Sequence, residues 1–191
     1  MRALYLLRHS LTEANIARLY CGRTDLPLAP TGVALADKTR RKRPIPPCGL
    51  YASSGMKRAD ETLRLLTGRK PGLVLSGLRE MDFGAFEMHS YDELKQDADY
   101  LRWIGDETGD VPCPGGESTN AFARRVRAAG DELLGADWDR AAVVCHGGVI
   151  VQLMRAWFPE EQKHFYEWQP AACGGWRIDF DGNDPLRFES L

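Results

Sequence analysis

Two histidines in this chain follow directly on short apolar runs. Residues 3–7 (ALYLL) lead into Arg8-His9, and residues 141–145 (AAVVC) lead into His146-Gly147-Gly148. A charge and an imidazole at the end of a buried segment cost free energy unless something there uses them. Another arginine, Arg58, comes shortly after a second apolar stretch, Leu50-Tyr51-Ala52. Arg8, Arg58 and the two imidazoles supply several hydrogen-bond donors, and Asn15 adds one if residues 10–16 curl helically. No carboxylate adjoins them, and donors without a carboxylate partner suit a phosphate dianion. The competing reading of any single arginine is a surface ion pair, which fits Arg18, Arg64 or Arg69 better. His89 and His164 have no such surroundings and read as structural hydrogen-bonders.

The elements that must position these residues alternate between strand and helix. Ala3–Leu7, Leu50–Ala52, Leu73–Leu75 and Ala141–Cys145 are short and continuously apolar, as fully buried strands are. A helix-like stretch opens at Thr31-Gly32 and ends in the basic run Arg40-Arg41-Lys42-Arg43 before Pro44. Cations favour a helix C-terminus, so that run reads as a solvated helix end. Lys57–Leu66 reads as a helix stopped by Gly68 and Pro71-Gly72. Ser118 is placed to cap a helix whose Phe122, Val126, Ala129 and Leu133 fall on one face. Val149–Phe158 reads as helix, and Gly175–Phe188 as a final strand or hairpin turning near Asp181–Pro185. Residues 79–117 differ: rich in Asp, Glu, Gly and aromatics, with weak periodicity, they read as a cap-like excursion. It is partly helical around Tyr91–Gln96 and Tyr100–Ile104.

The expected fold is therefore α/β: a mostly parallel sheet flanked by helices on both faces, three layers in all. Residues 1–191 read as a single domain. In such sheets ligands bind beyond the C-terminal ends of the strands, which is where His9 and His146 fall.

The motifs, taken together and in order, resemble the histidine phosphatase superfamily, the phosphoglycerate-mutase-like proteins. Arg8-His9-Ser10-Leu11-Thr12-Glu13-Ala14-Asn15 is similar to the family's opening R-H-G-x-T-x-x-N. Tyr20 to Leu28 with Thr31-Gly32 looks like the segment that follows it. Ser53-Ser54 through Arg58-Ala59 and Thr62 resembles the second arginine motif, and Leu78-Arg79-Glu80-Met81-Asp82-Phe83-Gly84 the segment carrying the acid. Pro114-Gly115-Gly116-Glu117-Ser118 and Val144–Gly148 complete the set. The likeness is greatest to the small α-ribazole-phosphate phosphatases and broad-specificity phosphatases. Three positions depart from the pattern: Ser10 replaces a glycine, Leu11 a frequent glutamate, and Met88 a frequent glycine.

The resemblance implies a metal-independent phosphomonoester hydrolase working through a phosphohistidine. His9 would be the nucleophile, kept neutral by Arg8 and Arg58. Glu80, preferred to Asp82, would be the general acid and then the base. Arg8, Asn15, Arg58, His146, the Gly147 amide and Ser10 would bind phosphate, the amide because helix N-termini favour anions. Asp82 and Glu87 otherwise read as loop hydrogen-bonders. The substrate class is a small-molecule phosphomonoester, with α-ribazole 5′-phosphate as one candidate. In residues 79–117 the basic Arg79, Lys95 and Arg102 are outnumbered by acids, which points to a larger or less charged substrate than a mutase handles. The aromatics there, Phe86, Tyr91, Tyr100 and Trp103, either stack on a base or, as favoured, pack the excursion.

Other classes fit less well. A net charge of −2 over 191 residues gives no footprint for nucleic acid. Five widely spaced cysteines make neither a disulfide framework nor a zinc ribbon. The histidines lack metal-site spacing, so no metal and no cofactor is called for. No Gly-x-Ser-x-Gly elbow surrounds Ser10, which disfavours a serine nucleophile. No leader or membrane span is apparent, and a reducing cytoplasm is the expected setting. The alternatives are mutase-type phosphoryl transfer and a non-catalytic phospho-ligand binder on the same fold. A homo-oligomer stays open.

Overall fold

A computed structural model describes residues 1–191. Six strands form one sheet: β1 (Arg2–Arg8), β2 (Leu50–Ser53), β3 (Leu73–Val74), β4 (Arg140–Cys145), β5 (Gly175–Asp181) and β6 (Asp184–Ser190). Their spatial order is β3-β2-β4-β1-β5-β6. The four strands from β3 to β1 are parallel, and β5 and β6 add an antiparallel hairpin on one side. The tail thus forms the hairpin expected of it, with Gly182 at φ +58° in the turn.

Side chains alternate across the sheet, so each apolar run feeds two cores. Leu4, Leu6, Ala141, Val143 and Cys145 join the larger cluster, with α6 (Thr119–Gly135) and α7 (Gly147–Trp157). Leu7, Ala142 and Val144 join the smaller one on the other face, with α2 (Pro30–Lys42) and α3 (Lys57–Thr67). Burial on both faces is why these strands are apolar at every position.

The helices begin where local chemistry allows. Pro30 occupies the first turn of α2, where a missing N–H costs nothing. The Ser118 hydroxyl accepts the Ala121 amide and caps α6, whose Phe122, Val126, Ala129 and Leu133 are all buried as their spacing predicts. Gly68 closes α3 in the left-handed conformation. Helix α7 starts at Gly147, two residues before the expected Val149, because both glycines adopt helical backbone there.

Residues 79–117 form the expected excursion, with short helices α4 (Tyr91–Leu94) and α5 (Ala98–Ile104). Its core is aromatic. Tyr20, Phe83, Phe86, Tyr100 and Trp103 meet edge-on or tilted at 5.1–6.0 Å between centroids, and Phe86 and Tyr100 are buried. Packing, the favoured reading, is therefore what these rings do; Tyr91 alone of those singled out is exposed. Many of the acids serve local backbone: Glu93 and Asp97 cap α4 and α5, and Asp106 ties down Thr108 and Val111. No helix of the chain is long and apolar enough to cross a membrane.

Candidate active site

The β1–β4 register sets Arg8 opposite Cys145, so His9 and His146 leave the sheet side by side. The His9 amide donates to the Cys145 carbonyl at 2.9 Å, and the two imidazole rings lie 5.1 Å apart. His9 Nδ1 is 2.6 Å from the Ser10 carbonyl, an oxygen that can only accept. The proton is therefore on Nδ1, and Nε2 carries a free lone pair. Burial, then Arg58 and Arg8, hold the His9 imidazole down to about 3 despite the Ser10 carbonyl.

His146 is fully buried at the start of α7. Arg58 Nε, which can only donate, points at its Nδ1 from 3.3 Å. Nε2 therefore carries the proton and donates to Ser54 Oγ at 2.8 Å. Burial, Arg58 and His9 push this imidazole well below its usual value. Both histidines are thus neutral in the resting site.

Arg58 projects from the first turn of α3 and is only 1% exposed. Besides His146 it donates to the Thr24 and Gly22 carbonyls, each at 2.8 Å. A guanidinium has five N–H donors, so two remain. Arg8 gives Nη1 to the Pro170 carbonyl at 2.9 Å, and its Nε is buried without any partner. Both arginines are close enough to act on the His9 imidazole, and each keeps N–H donors unspent.

Glu80 reaches the same place from the loop after β3. Its Oε2 accepts the Gly148 amide at 3.0 Å and its Oε1 the Met81 amide at 3.0 Å. Arg125 of α6 holds that loop by donating to the carbonyls of Gly77, Arg79 and Glu80, while Glu117 grips Arg125 with both oxygens at 2.8 and 2.6 Å. Outside Glu80 lies a cleft of about 360 Å³ lined by no apolar residue. Arg23, Arg79 and Arg125 balance Glu80, Asp82 and Glu117 there, so the acid excess of residues 79–117 does not extend to this lining.

Some expected ligands are placed differently. Ser10 is not free to donate to a phosphate: its hydroxyl donates to the Gly32 carbonyl at 2.7 Å and its amide to Thr62 Oγ1 at 2.9 Å. Asn15 spends Oδ1 on the Thr12 amide and hydroxyl in a capping box at α1 (Glu13–Ile16). Its Nδ2 keeps both hydrogens. Gly147 opens α7, where its N–H has no intrahelical acceptor. Asp82 bonds the Gly84 amide and lies 3.5 Å from Arg23, and Glu87 bonds the 22–24 loop, both loop roles as expected. His89 and His164 lie outside the cluster.

Sequence reading missed Ser54, Gly148 and Arg125. Ser54 follows β2 as His9 follows β1, so the strand-end rule points to it. Arg125 sits two turns into α6, whose start Glu117 precedes, and carries no local signal.

Comparison with known proteins agrees with this geometry. Residues 4–188 match the model of the histidine phosphatase superfamily, branch 1. The adenosylcobalamin/alpha-ribazole phosphatase of Salmonella typhimurium is 37% identical over 156 residues, covering 79% of this chain and 77% of that protein. The glucosyl-3-phosphoglycerate phosphatase of Mycobacterium tuberculosis is 32% identical over 171 residues, covering 81% and 74%. The crystal structure of the alpha-ribazole phosphatase from Shigella flexneri superposes with a TM-score of 0.82 at 28% identity, covering 97% and 94%. This chain belongs to the histidine phosphatase superfamily and is a phosphatase.

Proposed function

We propose that the chain hydrolyses a small-molecule phosphomonoester in two steps through a phosphohistidine on His9. The observation that carries this reading is the His9 Nδ1–Ser10 carbonyl bond, which leaves Nε2 unprotonated amid the unspent donors of Arg8 and Arg58. Nε2 attacks phosphorus as the ester P–O bond breaks, and the leaving alcohol takes a proton from Glu80. Water then attacks the phosphohistidine, Glu80 takes its proton, and the N–P bond breaks to release inorganic phosphate. Charge spread over the equatorial oxygens meets Arg8, Arg58, Asn15 Nδ2, His146 and the Gly147 amide. Residues 1–191 act as one domain in this reading.

For the substrate we favour α-ribazole 5′-phosphate or another small-metabolite phosphate, in line with what the Salmonella and Shigella relatives are named for. The polar lining beside Glu80 suits a hydroxyl-rich leaving group. We place the protein in the cytoplasm.

The test is turnover of p-nitrophenyl phosphate in EDTA, with early acid-free quenching to trap protein-bound phosphate. Wild type is expected to turn over and to carry base-stable, acid-labile phosphate, and His9→Ala to do neither. Phosphate trapped on Ser10, or turnover surviving in His9→Ala, would overturn the reading. A 3-phosphoglycerate mutase rate exceeding hydrolysis would move the activity to phosphoryl transfer.

A further inference from the structure

We propose that Glu87 is a positioning residue for Arg58, acting through the backbone of residues 22–24. This rests on the reading of Arg58 as a phosphate ligand.

Glu87 bonds neither His9 nor His146, yet its carboxylate accepts five hydrogen bonds. Oε1 takes the amides of Gly22 at 2.9 Å, Arg23 at 3.0 Å and Phe83 at 3.1 Å. Oε2 takes the Thr24 amide at 3.2 Å and the Thr24 hydroxyl at 2.6 Å. Three consecutive amides thus converge on one carboxylate. The carbonyls of Gly22 and Thr24 face the other way and accept Arg58 Nη2 and Nη1. The Gly22–Arg23 peptide spans the two directly: its N–H meets the Glu87 carboxylate and its carbonyl meets the Arg58 guanidinium.

The packing admits little else. A Cβ on Gly22 would lie 1.6 Å from the Met81 carbonyl oxygen and 2.8 Å from Glu87 Oε1. Arg58 is a long buried side chain with three hydrogen bonds, two of them to this loop. Without the carboxylate the loop amides lose their acceptor and the loop relaxes toward water. Arg58 then keeps only its contact with His146.

The displacement would also be felt as charge. The cations acting on both His9 and His146 are Arg8 from β1 and Arg58 from α3, joined at His146 by Arg125 from α6; Glu80, from the loop after β3, acts on Arg8 and Arg58. Of these cations Arg58 acts most strongly on both imidazoles. Moving it away makes both easier to protonate.

The test is a double-mutant cycle on binding of inorganic phosphate, measured by calorimetry on wild type, Glu87→Gln, Arg58→Ala and the double variant. Glutamine keeps the shape but turns an NH₂ toward amides that need an acceptor. Glu87→Gln is expected to weaken phosphate about 10-fold in the wild-type background and less than about 2-fold when Arg58 is already gone. In the same variant the His9 imidazole, followed by NMR, should titrate at higher pH than in wild type. If Glu87→Gln unfolds, Thr24→Val removes one of the five bonds and should give about a 2- to 3-fold loss of the same sign. Equal losses in both backgrounds, or an unmoved His9 titration, would overturn the inference. Phosphate binding that ignores Arg58→Ala would instead overturn the reading beneath it.

Discussion

Glu80 and Gly148 meet at the start of α7: Oε2 accepts the Gly148 amide at 3.0 Å, and a Cβ on Gly148 would lie 2.5 Å from Oε1. The helix end thereby fixes the carboxylate, and only glycine leaves it room. Gly148→Ala is expected to displace Glu80 and lower kcat about 100-fold, the scale of general acid–base catalysis. Affinity for inorganic phosphate should change less than about 3-fold, since the arginines are untouched. Steady-state kinetics beside phosphate titration checks this; a parallel loss of both would place Glu80 among the phosphate ligands.

Ser10 stands where the family pattern has glycine, and its hydroxyl is turned to the Gly32 carbonyl. Ser10→Gly is expected to leave kcat within about 2-fold while costing about 1 kcal/mol of stability for the lost buried hydrogen bond. Denaturant unfolding and turnover measured together decide it. A collapse of turnover at unchanged stability would return Ser10 to the phosphate.

The two buried imidazoles make stability depend on pH. Each is held below its usual 6.5, so the unfolded chain takes up protons that the folded protein excludes. Their contribution is complete above about pH 6.5 and declines as the pH falls, for His9 down to about 3. The expected slope is about 1 kcal/mol per pH unit for each histidine. Urea midpoints between pH 7 and 4.5 should show it, and His9→Asn should make the slope shallower. A flat profile in wild type would refute the assignment.

Met88 adopts φ +62°, a left-handed conformation that suits glycine and strains a side chain. Its amide is held by the Tyr20 carbonyl at 2.7 Å, which any residue would keep, and the residue is 37% exposed. Met88→Gly is expected to raise stability by up to about 1 kcal/mol, strain relief exceeding the entropy of an added glycine. Thermal unfolding checks the sign.

Continuous apolar runs made β1, β2 and β4 legible, because a strand buried on both faces has no polar position to hide it. The same runs located His9 and His146, since strand ends face the ligand side of such a sheet, while Arg58 stands in the first turn of the helix after β2. The glycines at 147 and 148 concealed the first turn of α7: they resemble a break, yet Gly148 is required by Glu80. Ser10 and Asn15 were legible as polar groups near the site but not as to where their polar atoms point. Ser10 answers to Gly32, which no local pattern announces, whereas Asn15 follows Thr12 at capping-box spacing, a signal that was there to be used. Glu87 could be read as a loop hydrogen-bonder, but its five partners converge only in three dimensions.

The pairing of Arg8 with Cys145 also sets when the proposed site can assemble. Most of the chain lies between those two residues, so His9 and His146 become neighbours only when a very long loop closes. Closing such a loop is slow and is completed only as the central strands pair. No fragment ending before β4 holds both imidazoles, so with the roles proposed for His9 and His146 a nascent chain is expected to stay inert until that strand has emerged. During refolding, recovery of activity should therefore trail the appearance of helix, reporting the joining of the sheet's two middle strands.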